Sequence, residues 1–297
     1  MNAVAIRRRL ARFWGAHGTM LGLAIDHRDS MRTALRGRGI ASATPALTAE
    51  IKADVCRALA PLATTVMVDA EYGTRALEEG TVPPTCALVM PLEEQGYEAT
   101  SFATTLMRDP DAAAAAARYG VDGCKLLLPI RPTLSSADRQ LRVAADALAL
   151  THAQGLPLVV EPIVPRLADE PEDAYSAGYT AWVLEAARLV AGLGVDVLKL
   201  PFPARSSRTA DAAAACRALH AACAGVPWVL LGGGVDGAEF EAQLGLAMAA
   251  GARGFLVGRS VWSAALLADT SARREAIERV VRPAFSRAAA LAIAVRV

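Results

Sequence analysis

The sequence predicts an α/β fold, a single (β/α)8 barrel domain over residues 1–297 with a helix at each end, and three observations carry that prediction. Short apolar runs bounded by turn residues recur eight times. Stretches of Ala, Leu and Arg with helical character separate most of them, which is the alternation of a parallel sheet. Eight such units in about 250 residues fit a closed barrel better than an open doubly wound sheet.

In chain order the strand-like runs are "MLGLAIDHRD" (20–29), "TTVMVDAEYG" (64–73), "CALVMPLE" (86–93), "GCKLLLPI" (123–130), "PLVVEPIV" (157–164), "DVLKLPFP" (196–203), "WVLLGGG" (228–234) and "GFLVGRS" (254–260). Helices are predicted over 47–60, 101–118, 136–154, 172–192, 206–223 and 237–250. The link after the second run is short and makes the weakest unit. The tract "DAAAAAARYG" reads as a small-residue helix packed close to the barrel, because alanine is the best helix former. The start, "MNAVAIRRRLARFW", has a basic cluster but no apolar core of secretory length, so a helix closing the bottom of the barrel is expected rather than a targeting segment.

Composition narrows the function. Hydrophobic residues make up 54% and charged residues 21% of the chain, with a formal net charge of +1, so nothing global points to nucleic acid or to a membrane surface. No uncharged apolar run reaches the roughly 18 residues of a membrane span. Five cysteines, odd in number and without C-x-x-C spacing, argue against a disulfide framework or structural zinc, and a cytoplasmic location is expected.

Lysine is scarce. Lys and Arg together number 31, and lysine stands only at 52, 125 and 199, which leaves 28 arginines. Arginine serves wherever a fixed cation suffices, whereas a desolvated lysine amine can lose its proton and become a nucleophile. Lys125 and Lys199 both sit inside apolar strand-like runs.

Chemistry in such barrels collects at the C-terminal ends of the strands. The residues expected there are Asp26, His27 and Arg28 on the first run, Asp69 and Glu71 on the second, Lys125 on the fourth, Glu161 on the fifth, Lys199 on the sixth and Arg259 on the eighth. Alternation sends Leu21, Leu23 and Ile25 toward the helices and Gly22, Ala24 and Asp26 to the interior. The fourth and sixth strands share interior layers, so Lys125 and Lys199 project into one region. Two ammonium groups held close and partly dry lower at least one pKa from about 10.4.

An amine nucleophile attacks a carbonyl to form an iminium, an electron sink for breaking a neighbouring carbon–carbon bond. Lys199 is the expected Schiff-base residue, with Lys125 as its neighbouring cation and Glu161 and Asp26 as proton-transfer carboxylates. Four histidines, of which His27 alone lies at a strand end, do not form a metal site, and no cofactor is expected. Gly232, Gly233 and Gly234 run into a helix after the seventh strand and offer backbone amides to an anion, with Arg259 supplying charge. Arg131, Arg166, Arg205 and Arg208 follow other strands and are expected to be mostly solvated.

The segments "AIDHRDSMR", "VDAEYG", "PLEEQGY", "CKLLLP", "VVEPI", "DVLKLPFP", "GGGVDGAEF" and "VGRSVW", in this order over about residues 20–265, resemble the class I aldolases of the tagatose 1,6-bisphosphate aldolase family and their relatives that cleave 6-deoxy-6-sulfofructose 1-phosphate. The resemblance implies metal-independent, reversible cleavage of a phosphorylated or sulfonated ketose to dihydroxyacetone phosphate and an aldehyde. It implies Lys199 as the Schiff-base lysine, Glu161 as acid/base, Lys125 and Asp26 as substrate contacts and Arg259 as a phosphate ligand. The chain departs from the family pattern at His27, usually glutamine, and at Gly232, usually serine. Two alternatives stay open: an enzyme like the 2-deoxy-5-keto-gluconate 6-phosphate aldolase of inositol breakdown, and a non-catalytic sugar-phosphate binding protein. Assembly into a homo-oligomer through the barrel helices also stays open.

Overall fold

The computed structural model describes residues 2–94, 96–97 and 112–295. Helix α1 (Asn2–Phe13) leads into β1 (Met20–Ala24), α2 (Asp29–Gly37) and α3 (Pro45–Leu59). There follow β2 (Thr65–Met67), a five-residue α4 (Thr74–Glu78), β3 (Ala87–Pro91), α5 (Ala112–Arg118), β4 (Gly123–Pro129) and α6 (Ala137–Ala153). The remaining units are β5 (Leu158–Ile163), α7 (Glu172–Ala191), β6 (Val197–Leu200), α8 (Ala212–Ala222), β7 (Trp228–Leu231), α9 (Gly237–Ala249) and β8 (Gly254–Val257). Three helices end the described chain: α10 (Arg259–Trp262), α11 (Thr270–Ala276) and, after a π-helical turn, α12 (Arg282–Ala294). The helix predicted over 101–118 is present from Ala112; its earlier part lies outside the described residues. Helix α2, over "DSMRTALRG", was not among the predicted helices.

Among the described residues the strands are parallel and close in sequence order, with β8 pairing back onto β1, so the predicted (β/α)8 barrel is the observed fold. Alternation divides the apolar residues into two cores. Leu21, Leu23, Ile25, Cys124, Leu126, Leu198 and Leu200 face outward and pack under the helices. Met20, Ala24, Met67, Ala87, Val89, Val159, Val197, Val229 and Leu256 fill the barrel. At the seam Gly254 takes φ +116°, and a Cβ there would lie 2.0 Å from the Met20 carbonyl oxygen, so only glycine lets β8 approach β1.

Helix α1 closes the lower end, as the sequence predicts. Phe13, fully buried, and Trp14 insert among the interior strand residues, and Phe13 occupies the space that any side chain on Gly123 would need. The helix is tied to loops that precede the strands: Arg9 Nη1 donates to Gly155 O at 2.7 Å and Arg12 Nη2 to Pro84 O at 2.6 Å. Local signals set helix starts elsewhere. Thr44 caps α3 at Leu47 N (3.1 Å) ahead of Pro45, and Asp236 caps α9 at Glu239 N (2.9 Å). At the other end of the chain, Arg273 is fully buried and joins α11 to Asp54 (2.8 Å) and Glu50 of α3.

Phe13 fills the base of the barrel, so Phe13→Ala leaves a cavity that the closed sheet cannot collapse. A loss of about 3–5 kcal/mol in stability is expected from denaturant midpoints. Leu150→Ala, at a side chain 44% exposed on α6, is expected to change stability by less than about 0.5 kcal/mol.

Candidate active site

The upper end of the barrel opens into a cavity of about 500 Å³, a size suited to a small-molecule ligand. Inward-facing positions past the apolar layers supply its chemistry: Asp26 beyond Ala24, Glu93 beyond Pro91, Lys125 on β4, Glu161 on β5 and Lys199 on β6 all border it. Across the β4–β5 ladder Lys125 pairs with Val159 and Leu127 with Glu161, so Lys125 starts one full alternation below the glutamate on the adjacent strand and its long side chain reaches up to it.

Lys125 is enclosed by carboxylates. Its Nζ lies 2.7 Å from Glu93 Oε1, 3.1 Å from Asp26 Oδ2 and 3.3 Å from Glu161 Oε2, with the side chain 5% exposed. Burial opposes that charge, but Asp26, Glu93 and Glu161 together hold the ammonium well above the usual lysine range. Among the described residues Lys199 Nζ meets one carboxylate, Glu161 Oε2, at 2.9 Å. The two lysines therefore do not face each other as bare cations; they share a carboxylate.

The carboxyl groups respond in turn. Burial works against the charge of Asp26, yet the neighbouring cations, Lys125 foremost, hold it well below the ordinary range. Glu161 is also drawn down, against burial, by Lys199 and then Lys125. His27 behaves oppositely: burial pushes its imidazole down to about 4, the nearby Asp26 only partly offsetting this, and Arg259 adds to the lowering. Its ring stands edge-on to Trp262 at 5.1 Å, and Nδ1, 3.7 Å from Asp26 Oδ1, has no hydrogen-bond partner among the described residues.

The rim carries Arg28, Gly232, Gly233, Gly234 and Arg259. Gly233 and Gly234 take φ +62° and +79°, a left-handed pair that curls the backbone beneath the Arg259 guanidinium, whose Nη2 would lie 3.9 Å from a Cβ on Gly234. Ser260 Oγ donates to Gly232 O at 2.7 Å and would lie 3.0 Å from a Cβ on Gly232. The loop without a hydroxyl at 232 thus has one beside it, from α10 after the neighbouring strand.

Ten of the twelve residues expected at the site border the cavity: Asp26, His27, Arg28, Lys125, Glu161, Lys199, Gly232, Gly233, Gly234 and Arg259. Asp69 and Glu71 do not, among the described residues. Asp69 is 1% exposed and pairs with fully buried Lys52 of α3, while its Oδ1 accepts from Glu71 N (3.0 Å) and Tyr72 N (2.7 Å). It is an internal fastener of the loop after β2, and the Glu71 side chain is exposed. Arg131 departs from its expected solvated state: it is 3% exposed, pairs with both oxygens of Glu170 and stacks 3.6 Å over the Trp182 ring. Arg166, Arg205 and Arg208 are exposed. Glu93 was missed. Its signal was the segment "PLEEQGY", where Glu93 lies two residues, one full alternation, beyond Pro91.

Among the described residues no helix is long and apolar enough to cross a membrane. Residues 20–264 match the profile of the DeoC/LacD family aldolases. The tagatose 1,6-diphosphate aldolase 1 of Enterococcus faecalis is 27% identical over 289 residues, covering 88% of this chain and 85% of that one. An enzyme of the same name from Streptococcus pyogenes serotype M3 is 26% identical, with 89% and 86% covered. Among solved structures, the fructose-bisphosphate aldolase of Slackia heliotrinireducens superposes with a TM-score of 0.66 at 19% identity, covering 96% of this chain and 91% of that one. An archaeal fructose-1,6-bisphosphate aldolase, with its catalytic lysine covalently bound to the carbinolamine intermediate of its substrate, superposes at 0.59 with 18% identity and 93% and 98% coverage. With the profile spanning the barrel from its first strand to the helices after its last, this chain belongs to the DeoC/LacD family of aldolases.

Proposed function

We propose that the chain is a class I aldolase that reversibly cleaves a phosphorylated or sulfonated ketose to dihydroxyacetone phosphate and an aldehyde through a Schiff base on Lys199. The observation that carries this reading is the carboxylate of Glu161 2.9 Å from Lys199 Nζ, in a cavity whose other lysine is held as a cation.

Glu161, kept ionised by the lysines, takes a proton from the Lys199 ammonium. The freed amine adds to the substrate's ketone carbon, and the carbonyl π pair becomes an oxyanion that Lys125 stabilises and Glu161 protonates. Glu161 then passes a proton from the nitrogen to that hydroxyl, which leaves as water, and an iminium remains. Asp26, also ionised, accepts the proton of the hydroxyl beside the bond to be broken. That C–C bond then cleaves, its electron pair flowing into the iminium to give an enamine while the aldehyde departs. Protonation of the enamine carbon and hydrolysis of the iminium release dihydroxyacetone phosphate and restore Lys199. The glycine loop and Arg259 hold the phosphate that the ketone carries, fixing the ketone carbon over Lys199.

Incubation with dihydroxyacetone phosphate and borohydride is expected to leave one adduct, on the peptide containing Lys199, and Lys199→Met is expected to lose both adduct and turnover. A Lys199→Met chain that still cleaves ketose phosphates at the parent rate overturns the reading. Glu161→Gln removes the proton acceptor and is expected to lower kcat about 10²–10⁴-fold. Because Asp26 and Glu161 are held low and His27 is neutral above about 4, kcat/KM for the free enzyme should stay level as pH falls from ~7 to ~5. An acid limb centred near the ordinary histidine value would contradict this assignment.

A further inference from the structure

Two lysines rise into one cavity, and the Schiff-base reading, on which this inference rests, needs one of them to react and the other not to. The surroundings of the two amines differ. Lys125 Nζ has three carboxylate oxygens at 2.7, 3.1 and 3.3 Å, and it donates hydrogen bonds to the nearer two, on Glu93 and Asp26. Two of those carboxylates, Asp26 and Glu161, exchange protons in the proposed cycle, so each leaves Lys125 without that anion while it is protonated. Glu93 is the third, and it is built as a fixed partner. It is 3% exposed, its Oε1 makes the shortest contact to Lys125, its Oε2 accepts from Leu127 N at 3.0 Å, and its own carbonyl oxygen accepts from Arg28 Nη2 at 2.8 Å. The backbone hydrogen bond comes from β4 itself, two residues beyond Lys125, so Glu93 is anchored to the strand that carries the lysine it holds.

We propose that Glu93 is a positioning residue that decides which lysine forms the covalent bond, by keeping Lys125 an ammonium throughout the cycle while Lys199 is left free to deprotonate. Among the described contacts Glu93 meets Lys125, Leu127 N and Arg28, not Lys199 or Glu161, so it acts through Lys125. Without it, Lys125 would rely on two anions that are each neutralised in turn, and its amine would become a competing nucleophile.

The chain's lysines number three, at 52, 125 and 199, so adducts can be assigned by peptide mapping without ambiguity. The parent, Glu93→Gln and Glu93→Asp are each incubated with dihydroxyacetone phosphate and cyanoborohydride, which forms the N–C bond, expels the carbonyl oxygen as water and reduces the iminium by hydride. The parent is expected to carry its adduct on Lys199. E93Q keeps the shape and the acceptor for Leu127 N but removes the charge. It is expected to raise the fraction of adduct on Lys125 at least tenfold and to extend that labelling to lower pH, while Glu93→Asp restores the preference for Lys199. A parent trapped on Lys199 together with an E93Q variant of unchanged distribution overturns the role of Glu93 alone. A parent trapped on neither lysine overturns the Schiff-base reading as well. A second measurement on the parent needs no variant to fold: in reductive methylation with formaldehyde near pH 8, Lys125 is expected to react at least tenfold more slowly than Lys199, and equal rates overturn the proposal.

Discussion

One carboxylate oxygen ties the upper barrel together: Glu161 Oε2 lies 2.9 Å from Lys199 Nζ and 3.3 Å from Lys125 Nζ. In a site this dry, a lone lysine would be costly and would shed its proton. The shared anion keeps both amines in the cavity, and the remaining carboxylates then separate their fates. Asp26 and Glu93 lie against Lys125, which the surplus of negative charge holds protonated. On the proposed reading, the same asymmetry makes Glu161 a proton acceptor for Lys199 and Lys125 a standing electrostatic clamp.

The barrel supplies this arrangement through parity. Each strand sends alternate residues inward, and the interior fills with Met, Ala, Val and Leu up to the level where polar side chains take over. Phe13 and Trp14 seal the opposite end, so the upper end is where the cavity opens. A change of register by one residue on β4 or β6 would turn Lys125 or Lys199 into the apolar layer beneath the helices, where Cys124, Leu126, Leu198 and Leu200 now pack.

Much of this was legible in the sequence because the strand signal and the chemistry coincide. A lysine inside "DVLKLPFP" or "GCKLLLPI" has few physical explanations, and alternation alone placed Asp26 with Gly22 and Ala24 on the inner face. Asp69 misled because position at a strand end says nothing about a partner on the preceding helix. Its partner, Lys52, is on a helix, and the pairing exists only once α3 packs over β2. Glu93 escaped notice although it ends the third strand-like run (86–93), because nothing local marks its carboxylate as the partner of Lys125; the contact forms only where Leu92 N bonds to Lys125 O at 2.8 Å and carries the ladder forward past Pro91. Arg131 looked like any exposed arginine until the loop after β5 brought Glu170 to it and α7 brought Trp182.

The family is established by a profile that covers the barrel, and the relatives named for tagatose 1,6-diphosphate aldolase align over 88–89% of the chain at 26–27% identity. The covalent step is what the account stands on. A crystal structure of the protein soaked with dihydroxyacetone phosphate tests it most directly. The account predicts continuous density from Lys199 Nζ to the ketone carbon, with Glu161 beside the new bond and the phosphate on the Gly232–Gly234 loop. A ligand bound without a covalent link, or linked to Lys125 instead, would contradict it.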